Sequence, residues 1–256
     1  MSELLLPERQ ALICQRLKSQ GRVVSAELAA ELSVSEDTIR RDLKELAAAG
    51  LCEKVYGGAL PPAFHPGSLT ERSRVAPENK ASLARSAISR IEPATVVFLD
   101  AGSTNLALAE ALPQDFALTA VTNAPAIASI LLEKPAVETI LLGGIVDRAM
   151  GGAISAKARD DLAVIKPDLC ILGACGIGTE GDVRAFGYED AGFKRFAASI
   201  SKKTMVVVTA AKFEIVAPYA VLPASAYACL VTEQAADRNR LRLIAAEGCD
   251  IVLTRD

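Results

Sequence analysis

Between residues 96 and 253, short apolar runs rich in β-branched residues alternate with segments of helical periodicity. This alternation constrains the fold most, because strands that are apolar throughout must be covered on both faces, as in a mostly parallel α/β sheet. The runs that predict strands are 96–99, 118–121, 137–142, 169–172, 205–208, 229–231 and 251–253. The segments that predict helices are 105–112, 124–132, 156–165, 191–201 and 234–246. We therefore expect a Rossmann-like α/β domain in this part of the chain.

The first 60 residues follow a different, mainly helical pattern. Helices are predicted over 7–20 and 26–32, the second with Ser25 as its N-cap. A tight turn leads into a third helix, which begins after the N-cap Ser35 and ends before Gly50. Two helices joined by so short a turn are typical of a helix-turn-helix motif.

The third helix has two different faces. At about 100° per residue, Ile39, Leu43 and Leu46 form one apolar stripe, with charged residues on the other side. The cations of that side are Arg40, Arg41 and Lys44. On an isolated helix such a face usually meets only solvent. Here the preceding helix and turn favour insertion into a DNA major groove.

The residues after Gly50 predict a small wing. Residues 51–56 alternate as a strand does, and Gly57 and Gly58 predict the turn that follows. A wing beside a recognition helix approaches the phosphate backbone, which positions the protein on DNA. The residues expected at the DNA are Ser35, Thr38, Arg40, Arg41, Lys44, Lys54 and Tyr56.

Charge and composition bound the function. The chain has 256 residues, enough for two domains, and a net charge of −3. Residues 1–58 carry eight cations and nine acids, so DNA binding depends on where the cations lie. Without a long apolar run or a basic leader, a cytoplasmic protein with no membrane contact is expected. The six cysteines form no CxxC pair and His65 is the only histidine, so no metal and no cofactor are expected.

The predicted domain boundaries follow the composition. Residues 61–80 are rich in proline, serine and charge, which is typical of a linker, and a helix is predicted over 80–91. The predicted division is a winged helix-turn-helix domain over 1–60, a linker over 61–80 and a larger α/β domain over 81–256.

Glycines and polar residues collect where the predicted parallel strands end, and that edge of an α/β sheet is where ligands bind. Residues 100–104 follow the first strand and open a helix, whose free N–H groups suit a phosphate. Asp100 is expected to accept hydrogen bonds from sugar hydroxyls. The residues expected around a small phosphorylated ligand are Asp100, Gly102, Ser103, Thr104, Asn123, Gly143, Gly144, Gly173, Cys175, Asp190, Lys194 and Lys212.

The sequence contains no motif that predicts an enzyme. The glycines between 173 and 178 do not have the dinucleotide-binding spacing, and there is neither a P-loop nor a GxSxG elbow. Cys175 has no histidine near it in sequence that would activate a thiol. The chain is therefore expected to bind its ligand without turning it over.

Several segments resemble the DeoR family of bacterial transcription regulators. The DNA-binding signature is matched by 34–46, 50–51 and 56–59, which cover helix, turn and wing together. The remainder resembles that family's sensor domain, which is similar in fold to ribose-phosphate isomerases. The matching pieces there are 100–104, 121–123, 141–144, 172–173, 194–195 and 212–213. The resemblance implies a repressor, usually of a sugar-use operon, that a sugar phosphate releases from DNA.

Six residues at four places in the chain depart from that family's pattern. Members commonly have an aspartate where this chain has Cys175, an aspartate and two serines where it has 209–211, a glutamate where it has Asp190 and a glycine where it has Ser155. The loss of a carboxylate and two hydroxyls among these changes removes acceptors for sugar hydroxyls, and each hydrogen bond is worth roughly 0.5–1.5 kcal/mol. The ligand preference is therefore expected to differ.

The sequence favours a homodimeric or homotetrameric repressor that binds double-stranded operator DNA. Two alternatives stay open. One is a sugar-phosphate isomerase with an appended DNA-binding domain, and the other is an activator with a non-sugar effector. The amino-acid sequence does not distinguish a repressor from an activator, because that difference depends on where the operator lies.

Overall fold

The computed structural model describes residues 5–20, 22–60 and 67–254. The chain divides into two compact units, Met1–His65 and Pro66–Asp256. Residues 61–66 of the predicted linker, including His65, lie outside the described residues.

The described part of the first unit is a winged helix-turn-helix, as predicted. Its elements are α1 (Leu6–Gln20), β1 (Val23–Val24), α2 (Ser25–Leu32), α3 (Glu36–Ala48), β2 (Glu53–Val55) and β3 (Gly58–Leu60). The three strands form an antiparallel sheet in the order β1-β3-β2. The apolar stripes of the helices meet in one core, whose largest buried side chains are Ile13, Leu17, Leu28, Ile39, Leu43 and Leu46.

The signals at both ends of α3 act as the sequence predicts. Ser35 Oγ accepts a hydrogen bond from the backbone N–H of Thr38 at 3.1 Å, which satisfies a free donor of the first turn. At the other end Gly50 has a φ of +71°, and Leu51 N donates to Leu46 O at 2.8 Å. This is the Schellman arrangement, which glycine favours because it has no Cβ.

Two expectations for this unit are wrong in detail. Ser25 is not an N-cap but the buried first residue of α2, and its N–H donates to Gly57 O at 2.8 Å. The turn of the wing lies at Tyr56 and Gly57, since Gly58 already belongs to β3. Gly57 supplies a φ of +81°, whereas a Cβ on Gly58 would lie 2.0 Å from Val23 O. The second glycine therefore allows two strands to approach.

The second unit alternates helices and strands. Its helices are α4 (Leu69–Arg74), α5 (Pro77–Ile88), α6 (Ser103–Ala111), α7 (Pro125–Leu131), α8 (Ala156–Ala163), α9 (Tyr188–Ile200) and α10 (Arg238–Ala246). Its strands are β4 (Val96–Leu99), β5 (Leu118–Thr122), β6 (Val137–Leu141), β7 (Val146–Asp147), β8 (Gly152–Ala153), β9 (Leu169–Leu172), β10 (Gly176–Ile177), β11 (Val183–Ala185), β12 (Lys203–Val207), β13 (Tyr219–Leu222), β14 (Cys229–Thr232) and β15 (Asp250–Leu253). Short 3₁₀ helices span Ala210–Glu214 and Ala224–Ala226.

Seven of these strands form the predicted parallel sheet, in the order β15-β14-β12-β9-β4-β5-β6. All seven strand predictions are confirmed, with ends within two residues. Both faces are buried: Phe98 packs into one apolar cluster, and Val97 and Leu99 pack into the other. The chain changes direction across the sheet between β4 and β9, which creates a crevice beyond their carboxyl ends.

Two features were not predicted. The segment expected to be a linker contains α4 and the start of α5, both within the second unit. A proline at position 77 begins α5, which suits the first turn of a helix because no N–H is needed there. The strands β10, β11 and β13 form a small antiparallel sheet.

Candidate functional site

The face of α3 opposite the core carries the predicted cations. Arg41 and Lys44 are exposed and make no ion pair with any described residue. Arg40 is also exposed, but its guanidinium pairs with Glu36 at 2.8 Å and lies 3.8 Å from Asp37. Exposed ion pairs of this kind stabilise a protein by about 0–1 kcal/mol. Breaking the pair so that Arg40 can contact DNA would therefore cost little free energy.

One acid on α3 faces inward. Asp42 is buried and forms a two-pronged ion pair with Arg9 of α1, at 2.5 Å from Nε to Oδ2 and 3.1 Å from Nη2 to Oδ1. A bidentate pair fixes direction as well as distance. It therefore holds α3 in the rotation that turns Arg41 and Lys44 outward.

The remaining predicted DNA contacts lie at the start of α3 and on the wing. The hydroxyls of Ser35 and Thr38 are 2.8 Å apart, and both residues are at least partly exposed. Lys54 is exposed on β2, and Tyr56 at the tip of the wing is fully exposed. All seven predicted residues are thus available to a partner on the first unit.

In the second unit, a small cavity of about 50 Å³ lies where β4, β9 and β12 end. The predicted residues that line it are Gly102, Ser103, Thr104, Gly173, Cys175, Lys194 and Lys212. The other lining residues are Arg72, Ala101, Met150, Ala174, Val207 and Val208. The crevice between β4 and β9 therefore brings together residues that are about 100 positions apart in sequence.

A buried triad of charges lies beside this cavity. Lys194 Nζ is 3.2 Å from Asp100 Oδ2 and also donates to Asp190 Oδ1 one helical turn away. All three side chains are nearly inaccessible to solvent. Because buried ions need partners, the lysine is held by two carboxylates, and only Lys194 of the three also lines the cavity.

Burial and mutual charge shift the protonation of this triad. Burial raises the pKa of Asp100 to about 6, with Lys194 opposing the shift and Asp190 adding to it. Burial by itself would lower the pKa of Lys194, but the charges of Asp100 and Asp190 outweigh it and raise the pKa above the usual value. Lys194 therefore stays charged.

Three further cations lie at the cavity or close to it: Arg72 and Lys212 line it, and Lys80 is near both of them. Burial lowers the pKa of Arg72. Burial also lowers the pKa of Lys212, and the positive charge of Arg72 lowers it further. Burial together with the charges of Lys212 and Arg72 lowers the pKa of Lys80 to about 8. Three cations thus line the cavity and a fourth lies close by, while the two carboxylates of the triad lie behind Lys194. Such an excess of positive charge suits an anion.

Comparison with known proteins agrees with this division into a DNA-binding and a ligand-binding part. A model of the DeoR-like helix-turn-helix domain matches residues 9–62, and a model of the DeoR C terminal sensor domain matches residues 75–234. The chain belongs to the DeoR family of transcriptional regulators. Both the recognition helix α3 and the cavity lie within matched residues, whereas α4 lies between the two matches.

Two relatives of this chain within the DeoR family are named as repressors. The glycerol-3-phosphate regulon repressor of Escherichia coli (strain K12) is 35% identical over 202 residues, which cover 78% of this chain and 80% of the relative. The putative aga operon transcriptional repressor of Escherichia coli O157:H7 is 28% identical, over 96% of this chain and 93% of the relative.

A solved structure of D-ribose-5-phosphate isomerase, in complex with phospho-erythronic acid, is similar at a TM-score of 0.40 and 16% identity over 54% of each chain. A likeness this remote carries nothing about activity. Within the described residues, no helix is both apolar enough and long enough to cross a membrane.

Five of the residues predicted to bind a DeoR-family effector do not line the cavity. Asp100 and Asp190 lie beneath it and hold Lys194. Asn123 is fully buried, and its amide joins two backbone segments: Oδ1 accepts from Ala101 N at 2.9 Å and Nδ2 donates to Ala153 O at 3.1 Å. The direct ligand contacts expected of these side chains are therefore corrected to supporting roles.

Gly143 and Gly144 also lie elsewhere, in the loop after β6. Gly143 N donates to Asp161 Oδ2 of α8 at 3.1 Å. Gly144 has a φ of +122°, and a Cβ there would lie 2.5 Å from Ser155 Oγ. These glycines let the loop pack closely against the start of α8, and Ser155, a departure from the DeoR pattern, is part of that contact.

Arg72 is the charged lining residue that sequence reasoning missed. It lies in 61–80, where the composition predicted a linker, and nothing near it in sequence marks a strand end. A wider groove of about 1100 Å³ runs along α5 and the edge strand β15. Its lining charges include both arginines and glutamates, such as Arg85, Arg90, Glu78 and Glu233, so it does not select an anion.

Proposed function

We propose that this regulator is a repressor that binds operator DNA through α3 and the wing and is released by a small phosphorylated sugar or polyol. The ligand binds in the cavity beyond β4, β9 and β12. The observation that carries this proposal is the positive charge around the cavity, supplied by Arg72, Lys80, Lys194 and Lys212. Asp100 and Asp190 balance two of these charges, which leaves the equivalent of one phosphate dianion.

The polar groups at the start of α6 support the same ligand class. Gly102, Ser103 and Thr104 open this nine-residue helix and line the cavity. Free N–H groups and hydroxyls at such a position suit phosphate oxygens. The name of the 35% identical relative refers to a glycerol-3-phosphate regulon, which is consistent with a phosphorylated polyol.

We further propose that the protein does not turn its ligand over. An isomerase needs a base within hydrogen-bond reach of the reacting carbon's proton. Asp100 and Asp190 are committed to Lys194 and do not line the cavity, and Cys175 stands where the family commonly has an aspartate.

The proposed assembly is a homodimer or homotetramer in the cytoplasm, where DNA is available. The first unit has little excess charge, so one copy would bind DNA weakly. Two copies bound to adjacent half-sites combine their affinities, as other helix-turn-helix proteins do. Light scattering of the purified chain measures this directly.

DNA binding is tested on operator fragments selected by the full-length protein from a random pool. Arg41→Ala and Arg40→Ala are each expected to weaken specific binding by about 1–3 kcal/mol and relax the preferred sequence, because arginine reads guanine with two hydrogen bonds. Arg22→Ala, an exposed cation outside α3, is the matched control. Undiminished specific binding by both α3 variants would rule out this mode of recognition.

Release is tested with the same complexes. We expect sn-glycerol 3-phosphate, D-fructose 6-phosphate or another phosphorylated sugar to dissociate the DNA, and the unphosphorylated counterparts to have no effect. Lys212→Gln should weaken the response, because it removes one positive charge from the cavity. Release by unphosphorylated compounds alone would contradict the phosphate assignment.

A further inference from the structure

The short helix α4 contributes Arg72 to the lining of the ligand cavity, and Arg72 joins this helix to the loop between β7 and β8. Arg72 Nη1 donates to Gly67 O at 2.7 Å and to Ala149 O at 2.5 Å, and Nη2 donates to Met150 O at 3.0 Å. Ala149 and Met150 lie in the loop between β7 and β8. These hydrogen bonds therefore connect α4 to that loop at the edge of the cavity.

The bridged cavity is too small for a sugar phosphate. Its volume of about 50 Å³ compares with roughly 300–1,000 Å³ for pockets that bind small organic ligands. The walls formed by β4, β9 and β12 belong to the buried sheet and move only with the core. Arg72, the part of α4 that lines the cavity, is held by hydrogen bonds to three carbonyls, and α4 itself packs against α6 and, through Leu69, against Gly151. A ligand therefore makes room by displacing α4.

The guanidinium of Arg72 has further N–H donors that can bind an anion. A guanidinium carries five N–H donors, and the three bonds to carbonyls leave two without a partner among the described residues. A hydrogen bond to phosphate is charged on both sides and stronger than one to a neutral carbonyl. A phosphate in the cavity therefore competes well for this side chain.

Lys80 holds the other end of α4. Its ammonium group donates to Val75 O at 2.7 Å and also contacts Arg72 O. Lys80, Arg72 and Lys212 are near enough for their charges to oppose one another. A dianion among them relieves this repulsion and changes the balance of forces that fixes α4.

The position of α4 in the chain gives its displacement a consequence. It is the first helix of the second unit, and the chain leads from it through 61–66 to the wing of the DNA-binding unit. We propose that Arg72 binds the phosphate of the ligand and that the resulting displacement of α4 is the signal that lowers DNA affinity. This inference rests on the proposed function, because it requires an anionic ligand in this cavity.

The test compares full-length wild type, Arg72→Gln and Arg74→Gln, the last being an exposed arginine on the same helix. The probes are inorganic phosphate, sn-glycerol 3-phosphate and D-fructose 6-phosphate, with glycerol and D-fructose as uncharged controls. Calorimetry gives ligand affinity, fluorescence anisotropy gives DNA affinity, and hydrogen exchange reports the amides of 69–75. Arg72→Lys, which keeps the charge but loses the two-pronged geometry, replaces Arg72→Gln if that variant does not fold.

We expect phosphorylated probes to speed hydrogen exchange in α4 of the wild type and of Arg74→Gln. Arg72→Gln should bind them about tenfold or more weakly, since a charge-assisted bond is lost. Even at probe concentrations that saturate Arg72→Gln, this variant should stay bound to its operator DNA. Unchanged ligand affinity in Arg72→Gln, or normal DNA release at saturation, overturns the inference while the proposed function stands. Failure of every phosphorylated probe to bind the wild type overturns both.

Discussion

The ammonium group of Lys194 lies 3.2 Å from Asp100 Oδ2, inside the second unit and almost out of reach of solvent. Asp190 supplies a second carboxylate from the preceding turn of α9. This arrangement positions one cation at the cavity and buries two acids behind it. It also makes the stability of the second unit sensitive to any change in the charge of the triad.

Replacing Lys194 is expected to destabilise the second unit strongly. Lys194→Met leaves Asp100 and Asp190 buried beside each other without a cation, and losing one partner of a buried ion pair costs about 3–5 kcal/mol. Arg195→Met is the matched control, because Arg195 is exposed and adjacent in sequence. Urea unfolding followed by circular dichroism measures both variants. If Lys194→Met and Arg195→Met were equally stable, the charges of the triad would not stabilise the second unit.

The pH dependence of stability should carry the signature of Asp100. Burial raises the pKa of its carboxyl group to about 6, above its usual value of 3.8, so the folded state binds this proton more tightly than the unfolded state. Its contribution to stability is therefore full below about pH 4 and is lost as pH rises through 6. Asp100→Asn, which cannot ionise, should gain stability relative to the wild type between pH 4 and pH 7. If the difference in stability between Asp100→Asn and the wild type does not change between pH 4 and pH 7, the raised pKa of Asp100 is contradicted.

The buried ion pair between Arg9 and Asp42, which orients α3, should tolerate replacement of both residues together but not of Asp42 alone. Asp42→Leu leaves the Arg9 guanidinium buried without its carboxylate and should cost about 3–5 kcal/mol of stability in the first unit. Adding Arg9→Met restores a balanced, apolar contact and should recover most of that loss. Hydrogen exchange in α1 and α3 measures stability, and operator binding should follow it. If the double variant is no more stable than Asp42→Leu, the charge-pair explanation fails.

The two glycines of the wing should respond differently to substitution. Gly58→Ala places a Cβ about 2 Å from Val23 O and should separate β1 from β3, at a cost of about 2 kcal/mol or more. Gly57→Asn has open space around it and needs only a positive φ, which asparagine tolerates. Hydrogen exchange of β3 amides distinguishes the two. A larger loss at Gly57 than at Gly58 would be the opposite of what the backbone geometry requires.

Much of the fold follows from short-range patterns. The apolar runs placed all seven parallel strands, because a strand buried on both faces must be apolar at every position. The cap at Ser35 and the stop at Gly50 fixed both ends of α3, since each satisfies backbone groups within a few residues. Composition misled at 61–80, where proline and charge suggest a linker although Leu69 packs into the fold.

The sequence by itself determined the two domain types, the helix proposed to recognise DNA and the edge of the sheet proposed to bind a ligand, because these depend on local periodicity. The tertiary structure alone decided which side chains meet there. It turned Asn123 and Asp190 from expected ligand contacts into internal supports, and it brought Arg72 to the cavity from a distant segment. Such pairings depend on how helices cross the sheet, which no spacing within one segment specifies.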